Sequence, residues 1–409
     1  MYLNSQTLIK NTWISSDSLS ILKIKKGGVL KEIITLSTNS FVFLLLLSHT
    51  SFAQNNSRDN DHTHHSHEHE HEHEHEHDSK TSNPLPKKTK LITGQGAFIF
   101  SWDEELTAAF PEDALKFEQK MHGGFNEDPE TGIVYTGIPG YGLCSISPDL
   151  TKWKTLGTDL RLKDNIHGIV FFVHKGKKFL AVTQEGKRVL ILTLDGRIIS
   201  EILKPSGNEF KFAVANEFFS TEDSNFGVTD ITYLKGILYV AHGYSKGDFV
   251  MTIKEKDGLW SWGKLAWGGK GDQPGQFRTA HGIYAHNNHI LVANRAAGQV
   301  VKFTKKGKFV ETFNDIPEGS LICNVSFKGE HYFLNALSAI DKQKSAPIYV
   351  HSGKKLVSTV ISGDLNIPTL TNIHQVWPHF VTDEDGSNEL YLLVHGWNKG
   401  KFAVLKQVN

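Results

Sequence analysis

The chain has 409 residues, no formal net charge and 39% hydrophobic residues, enough apolar material for a core. Its length fits one large all-β domain, and the balanced charge gives no broad basic field, which argues against a nucleic-acid partner. Its two cysteines, Cys144 and Cys323, are too few for a disulfide framework or a cysteine metal site, and we interpret them as free thiols.

Residues 1–53 have the pattern of a secretory signal peptide. Lysines between Lys23 and Lys31 precede the apolar run FVFLLLL (Phe41–Leu47), and small residues then lead to a cleavage position after Ala53. The alternative is a membrane anchor, but the run is shorter than the roughly 20 residues that span a bilayer. We therefore expect a secreted or periplasmic protein without a membrane span in its mature form.

Residues 54–89 form a linker of unusual composition. It contains the tract DHTHHSHEHEHEHEHEHD (Asp61–Asp78), in which histidine alternates with glutamate. Such a tract cannot build a core, so we predict that it is disordered. Imidazole suits zinc, copper and nickel, which makes weak multivalent capture of metal ions one interpretation and a merely solvated linker the other.

The remainder, residues 90–409, contains short alternating apolar runs separated by Gly, Asp and Asn, which favours an all-β fold. Six similar units recur, each with two apolar strands around a turn and usually two further strands. The units begin at Met121, Ile166, Val228, Ala280, Ile322 and Pro378. Four strands in six units predict a six-bladed β-propeller, and the run Gly96–Trp102 is placed to add a strand to the last blade and close the ring.

One repeat position carries an unusual number of histidines. The first strand of each propeller blade lines the central channel, so residues at its start face the axis near one mouth. The residues that we align at this position are His122, His167, Thr229, His281, Cys323 and His379. Histidines that converge in this way predict a metal site, because three neutral imidazoles with an open fourth position are typical of catalytic zinc. The alternative is that the repeated His-Gly pair serves only the start of each blade.

The unit FRTAHGIYAHNNHILVANRAAGQVVKF (Phe277–Phe303) resembles the NHL-repeat propellers most closely, and the repeated part of the chain is similar to the peptidyl-α-hydroxyglycine α-amidating lyases. Those six-bladed propellers bind zinc through three histidines and cleave a carbinolamide C–N bond, releasing a peptide amide and glyoxylate. The resemblance implies zinc ligands at His167 (in IHG), His281 (followed by ANR) and His379 (in PHF).

The same resemblance implies two catalytic residues. Tyr244, in AHGY, matches the family's catalytic tyrosine, and Arg295, in ANR, matches an active-site arginine. A tyrosinate can take a proton from a substrate hydroxyl, and an arginine can hold a carboxylate with two hydrogen bonds. Taken singly, the tyrosine could be a packing residue and the arginine a surface ion-pair partner.

Several positions depart from the family pattern. The stretch Val134–Gly142 lacks the family's second arginine, Trp377 replaces a methionine, and Phe380 replaces an aspartate that helps to bind a structural calcium, so calcium stays open. An aspartate of the family is His242 here, and together with His122 it leaves open a different metal environment.

Three functional hypotheses follow. The first is a secreted metal-dependent lyase that binds a small molecule or peptide at the channel mouth. The second is a binding propeller without catalysis, in which the metal is structural. The third is a protein of metal homeostasis that acts through the His-rich tract.

Overall fold

A computed structural model describes residues 19–26, 29–38 and 41–48, and residues 90–409 except 314, 339, 341–344, 368–369, 398–400 and 409. Two compact units result, Met1–Asn83 and Pro84–Asn409. In the first unit three strands form an antiparallel sheet in chain order, β1 (Leu19–Lys26), β2 (Val29–Thr38) and β3 (Phe41–Ser48). They lie within the predicted signal peptide, whose expected cleavage position falls outside the described residues, as does the tract Asp61–Asp78. No helix among the described residues is long and apolar enough to cross a membrane.

The second unit is built almost entirely of strands. In chain order they are β4 (Thr93–Gln95), β5 (Phe98–Asp103), β6 (Phe125–Glu127), β7 (Val134–Ile138), β8 (Gly142–Ile146), β9 (Trp153–Leu156), β10 (Ile166–His174), β11 (Lys177–Gln184), β12 (Arg188–Leu192), β13 (Ile198–Ile202), β14 (Ile231–Leu234), β15 (Ile237–His242), β16 (Phe249–Lys256), β17 (Leu259–Gly268), β18 (Ala280–His286), β19 (His289–Asn294), β20 (Gln299–Thr304), β21 (Phe309–Thr312), β22 (Ile322–Lys328), β23 (His331–Ala336), β24 (Pro347–Ser352), β25 (Lys355–Ile361), β26 (Ile373–Thr382), β27 (Asn388–Gly396) and β28 (Phe402–Gln407).

Short helices occur between these strands. They are α1 (Glu104–Ala108), α2 (Ala213–Ser220) and the 3₁₀ turns Glu112–Lys120, Leu160–Lys163, Arg295–Ala297 and Ser362–Leu365.

The strands form six antiparallel sheets, each of which is one blade of a β-propeller. Blades 1 to 5 are β6–β9, β10–β13, β14–β17, β18–β21 and β22–β25, each in chain order. The innermost strands β6, β10, β14, β18, β22 and β26 each contact the next one, and β26 contacts β6 again. The chain thus closes a ring of six blades, which confirms the predicted fold.

Blade 6 joins the two ends of the ring. Its order is β26-β27-β28-β5-β4, and β5 pairs with β28 in antiparallel register, from Val404 opposite Asp103 to Gln407 opposite Phe100. Phe100 is completely buried between blades 5 and 6. The expectation that Gly96–Trp102 supplies a closing strand is confirmed.

The glycine of the repeated His-Gly pair lets neighbouring inner strands approach closely. A Cβ on Gly168 would lie 2.4 Å from Oδ1 of Asp230 on the next blade, and one on Gly282 would lie 2.7 Å from the Cα of Asn324. No larger residue fits these positions without moving the neighbouring blade. Packing therefore explains the glycine of the pair and leaves the histidine to be explained.

Candidate metal centre

Six residues from the six blades surround the channel where the inner strands begin, and nearly all of them can bind a metal. They are His122, His167, Thr229, His281, Cys323 and His374. Each is buried, His122 being the most exposed of them at 7%. The ring centroid of His374 lies 4.3, 4.7 and 4.9 Å from those of His122, His167 and His281, so His374 is close to each of the other three histidines.

His379 does not belong to this ring, in contrast to the prediction. Strand β26 begins at Ile373, so the sixth ring position is His374, and His379 lies five residues further along. At about 3.3 Å per residue this moves it some 16 Å toward the opposite mouth. There its Nδ1 lies 3.0 Å from Oε2 of Glu127 and its Nε2 lies 2.8 Å from the carbonyl oxygen of Pro148. Both ring nitrogens are therefore engaged by oxygen atoms of blade 1, and His379 does not face the donors of the ring.

Three histidines of the ring present nitrogens that have no hydrogen-bond partner. In His167, Nδ1 donates to the carbonyl oxygen of Thr229, which leaves the Nε2 lone pair free. In His122, Nδ1 lies 3.3 Å from Oδ1 of Asn165, and Nε2 is again unpartnered. In His374 both ring nitrogens are buried without a partner. Buried polar atoms normally have hydrogen-bond partners, so these unpartnered ring nitrogens require an explanation.

Asn165 and Glu185 extend the contacts of His122 outward. The amide Nδ2 of Asn165 donates to Oε2 of Glu185 at 2.9 Å, which fixes the amide so that its oxygen faces the histidine. Metal-binding histidines are commonly oriented by such outer contacts, to a carboxylate directly or to a carbonyl. Burial raises the pKa of Glu185, and the charge of Arg295 opposes this shift.

His281 is held differently, by Tyr244 and Arg295. Its Nδ1 donates to the Cys323 carbonyl at 2.7 Å, so its Nε2 accepts from the Tyr244 hydroxyl at 2.8 Å. The Tyr244 oxygen accepts in turn from Nη1 of Arg295 at 2.9 Å, and the guanidinium lies over the tyrosine ring. The structure therefore brings His167, His281, Tyr244 and Arg295 together as predicted and leaves out His379.

Burial keeps the ring residues uncharged. It lowers the pKa of His122 to about 4 and those of His167, His281 and His374 well below the usual histidine value. Burial also raises the pKa of the Tyr244 hydroxyl above its usual range, with Arg295 partly opposing the shift. Neutral imidazole is the form of histidine that binds metals.

The donor atoms fall into two groups that could each hold a metal ion. In the first, His122, His167 and His374 have one nitrogen each within 4.8 Å of the others, and in the second the same holds for His281, Cys323 and His374. The first group fits a metal best, because each of its three histidines has an unpartnered nitrogen that a bound ion would engage. Imidazole and thiolate donors suit zinc, copper or cobalt and do not suit calcium.

His242 supports the turn that carries Tyr244 and is not a ligand. Its Nε2 accepts from the Gly227 amide at 3.1 Å, and its Nδ1 lies 2.8 Å from Oγ of Ser245. Both ring nitrogens are therefore used within the blade.

His374 is the candidate ligand that sequence reasoning missed, although a signal for it exists. The stretch IHQV at Ile373 matches IHGI at Ile166 and ICNV at Ile322, with an apolar residue, a ligand, a small or amide residue and a branched apolar residue. The prediction followed the Pro-His pair at Pro378 instead.

Comparisons with known proteins add little to this description. No protein-family model matches the chain, and neither does any curated protein. Among solved structures, a luciferin-regenerating enzyme is similar, with 13% sequence identity over 72% of this chain and 93% of its own and a TM-score of 0.44. A similarity at this level says nothing of the activity.

Proposed function

We propose that this chain is a secreted or periplasmic metal-dependent enzyme of the NHL propeller class, with a C–N lyase activity of the peptidylamidoglycolate lyase type. The observation that carries the proposal is a set of three buried histidines with unpartnered ring nitrogens, next to a hydrogen-bonded Tyr–Arg pair. His122, His167 and His374 would hold the ion, which we expect to be zinc. When bound, zinc supplies Lewis acidity toward a substrate oxygen.

In this proposal Tyr244 moves the substrate proton. Its hydroxyl already donates to Nε2 of His281, so it can pass that proton on while it accepts one from a substrate hydroxyl. Loss of the hydroxyl proton lets the carbinol carbon form a C=O bond as its C–N bond breaks. The amide nitrogen that leaves takes up one proton, and the products are an amide and glyoxylate.

In this proposal Arg295 orients the substrate. One guanidinium nitrogen is used by Tyr244, and the group lies half-buried at the edge of the cluster. A carboxylate next to the reacting carbinol could bind the guanidinium and so bring its hydroxyl to Tyr244. The substrate class is therefore an N-acylated α-hydroxyglycine, in which the carboxylate and the hydroxyl are bonded to the same carbon.

The test is an assay with benzoyl-α-hydroxyglycine, in which glyoxylate and benzamide are quantified with zinc present. We expect equal amounts of the two products from the parent chain. Tyr244→Phe should lower kcat by about 10²- to 10⁴-fold, the usual contribution of a positioned proton acceptor. Tyr141→Phe is the matched control, since the Tyr141 hydroxyl contacts Asp113 outside the cluster. Absence of both products above the spontaneous rate would refute the lyase proposal.

A binding propeller with a structural metal is the second candidate. It is favoured by the low exposure of the histidines, 2% for His167, His281 and His374, which gives a substrate little room to reach the ion. In that case zinc would stabilise the fold and the assay would give no product.

A further inference from the structure

The second group of donors, His281, Cys323 and His374, lies on the same ring as the first, and nothing in the proposed function uses it as a site. It shares His374 with the first group. Cys323 is completely buried, and its Sγ lies 3.5 Å from Nδ1 and 3.8 Å from Nε2 of His281. The thiol thus stands at the ring position that four other blades fill with histidine.

His374 is the residue that links the groups. It is 2% exposed, and neither of its ring nitrogens has a hydrogen-bond partner. Every other histidine of the ring uses Nδ1 in a contact with a neighbouring oxygen. A buried imidazole with two unused nitrogens, placed between two groups of ligands, is what a bridge between two metal ions requires.

We propose that the ring binds two metal ions, the first on His122, His167 and His374 and the second on His281, Cys323 and His374, with the His374 imidazole bridging them. This inference rests on the proposed function, because the first ion is the one assigned there. A thiolate next to imidazole selects zinc or a similarly soft ion for the second position.

Proton release accompanies binding of the second ion. His374 loses its ring N–H proton to become a bridging imidazolate, and Cys323 loses its S–H proton, since metals bind the thiolate. Both protons pass to solvent. When the second ion occupies Nε2 of His281, the Tyr244 hydroxyl keeps its contact with Arg295 and no longer donates to His281, so the proton transfer from Tyr244 to His281 belongs to the protein that holds the first ion alone. Arg295 also lies close enough for its charge to favour the Cys323 thiolate, against the effect of burial, which raises the pKa of the thiol to about 11.

Cobalt binding to the full chain tests the proposal. The His/Glu tract contains no cysteine, so a thiolate-to-cobalt charge-transfer band in the near ultraviolet reports on Cys144 or Cys323 alone. Cys144 is the internal control, because it is packed among Ile138 and Ile146 in an apolar core. The band should appear in the parent and in Cys144→Ser and vanish in Cys323→Ser.

Metal content measured after desalting gives the second readout, because the tract contributes equally to every variant. Relative to the parent, Cys323→Ser should lose one equivalent, His122→Gln one and His374→Gln two. A parent without the band at saturating cobalt overturns the inference. A loss of one equivalent in each of the three variants also overturns it, because a single ion then explains all three.

The two proposals fail in different ways. If His122→Gln loses one ion while Cys323→Ser loses none, the second site is refuted and the first stands. If His122→Gln loses no metal, the ion assigned in the proposed function is refuted as well, and with it the two-ion centre.

Discussion

Replacement of His374 by leucine should make the metal-free protein more stable. Both ring nitrogens are buried without partners, and an unsatisfied buried polar group costs about 1–3 kcal/mol. Leucine has a similar volume and no polar atom, so we expect the free energy of unfolding to rise by about 1–3 kcal/mol. At an unfolding entropy of about 2.1 cal/mol/K per residue, a unit as large as Pro84–Asn409 gains about 1.5 °C in Tm per kcal/mol, so the expected rise in Tm is about 1.5–4.5 °C.

The same substitution should abolish stabilisation by zinc. Zinc at 100 times its Kd stabilises the parent by about 2.7 kcal/mol, which corresponds to about 4 °C in Tm. Differential scanning calorimetry of parent and variant, in chelator and in zinc, measures both effects. A variant that melts below the parent in chelator, and whose Tm still rises with zinc, would refute the assignment of His374 as a ligand.

His379→Leu is the matched control and should behave in the opposite way. It removes a partner of Glu127, a largely buried carboxylate, and of the Pro148 carbonyl. We expect it to destabilise the protein by about 1–3 kcal/mol and to leave the zinc response unchanged.

Three further predictions concern the pH dependence of stability, the strand that closes the ring, and the tract Asp61–Asp78. Burial lowers the pKa of His122 from 6.5 to about 4, so the stability that depends on its neutral form is present above pH 6.5 and is lost as the pH falls toward 4. We therefore expect urea unfolding in chelator to give a free energy of unfolding about 2 kcal/mol lower at pH 5 than at pH 7.5 from this residue alone. Phe100→Ala should cost about 3–5 kcal/mol by opening a cavity at the closing strand, whereas Ile92→Ala, at a residue 54% exposed, should cost less than about 1 kcal/mol in the same unfolding experiment. Deletion of Asp61–Asp78 should lower the number of weakly bound metal ions in equilibrium dialysis without changing Tm, and a Tm several degrees lower would contradict a disordered tract.

The fold was predictable because each blade repeats the same physical pattern. Alternating apolar runs separated by turn residues specify antiparallel strands, and six such units specify the ring. The closing strand was predictable for the same reason, since Gly96–Trp102 is an apolar run without a partner before the first unit.

The candidate ligand set was harder to predict because β26 carries two histidines, His374 and His379. His374 and His379 both follow apolar residues, and sequence alone does not fix where the strand begins. The pairing register, with Ile373 opposite Gly396, shows that β26 begins near His374. His374 therefore lies at the channel mouth with the ring, and His379 lies further along β26 toward the opposite mouth. The contact between His379 and Glu127 joins residues that lie on different blades and far apart in the chain, so no local pattern indicates it.

The position of the first metal ion tests the central claim most directly. An anomalous difference map collected at the zinc edge, from crystals of the zinc-loaded protein, locates the ion without reference to activity. We predict a peak bonded to ring nitrogens of His122, His167 and His374. A peak at His379, or no peak within the channel ring, would contradict the assignment.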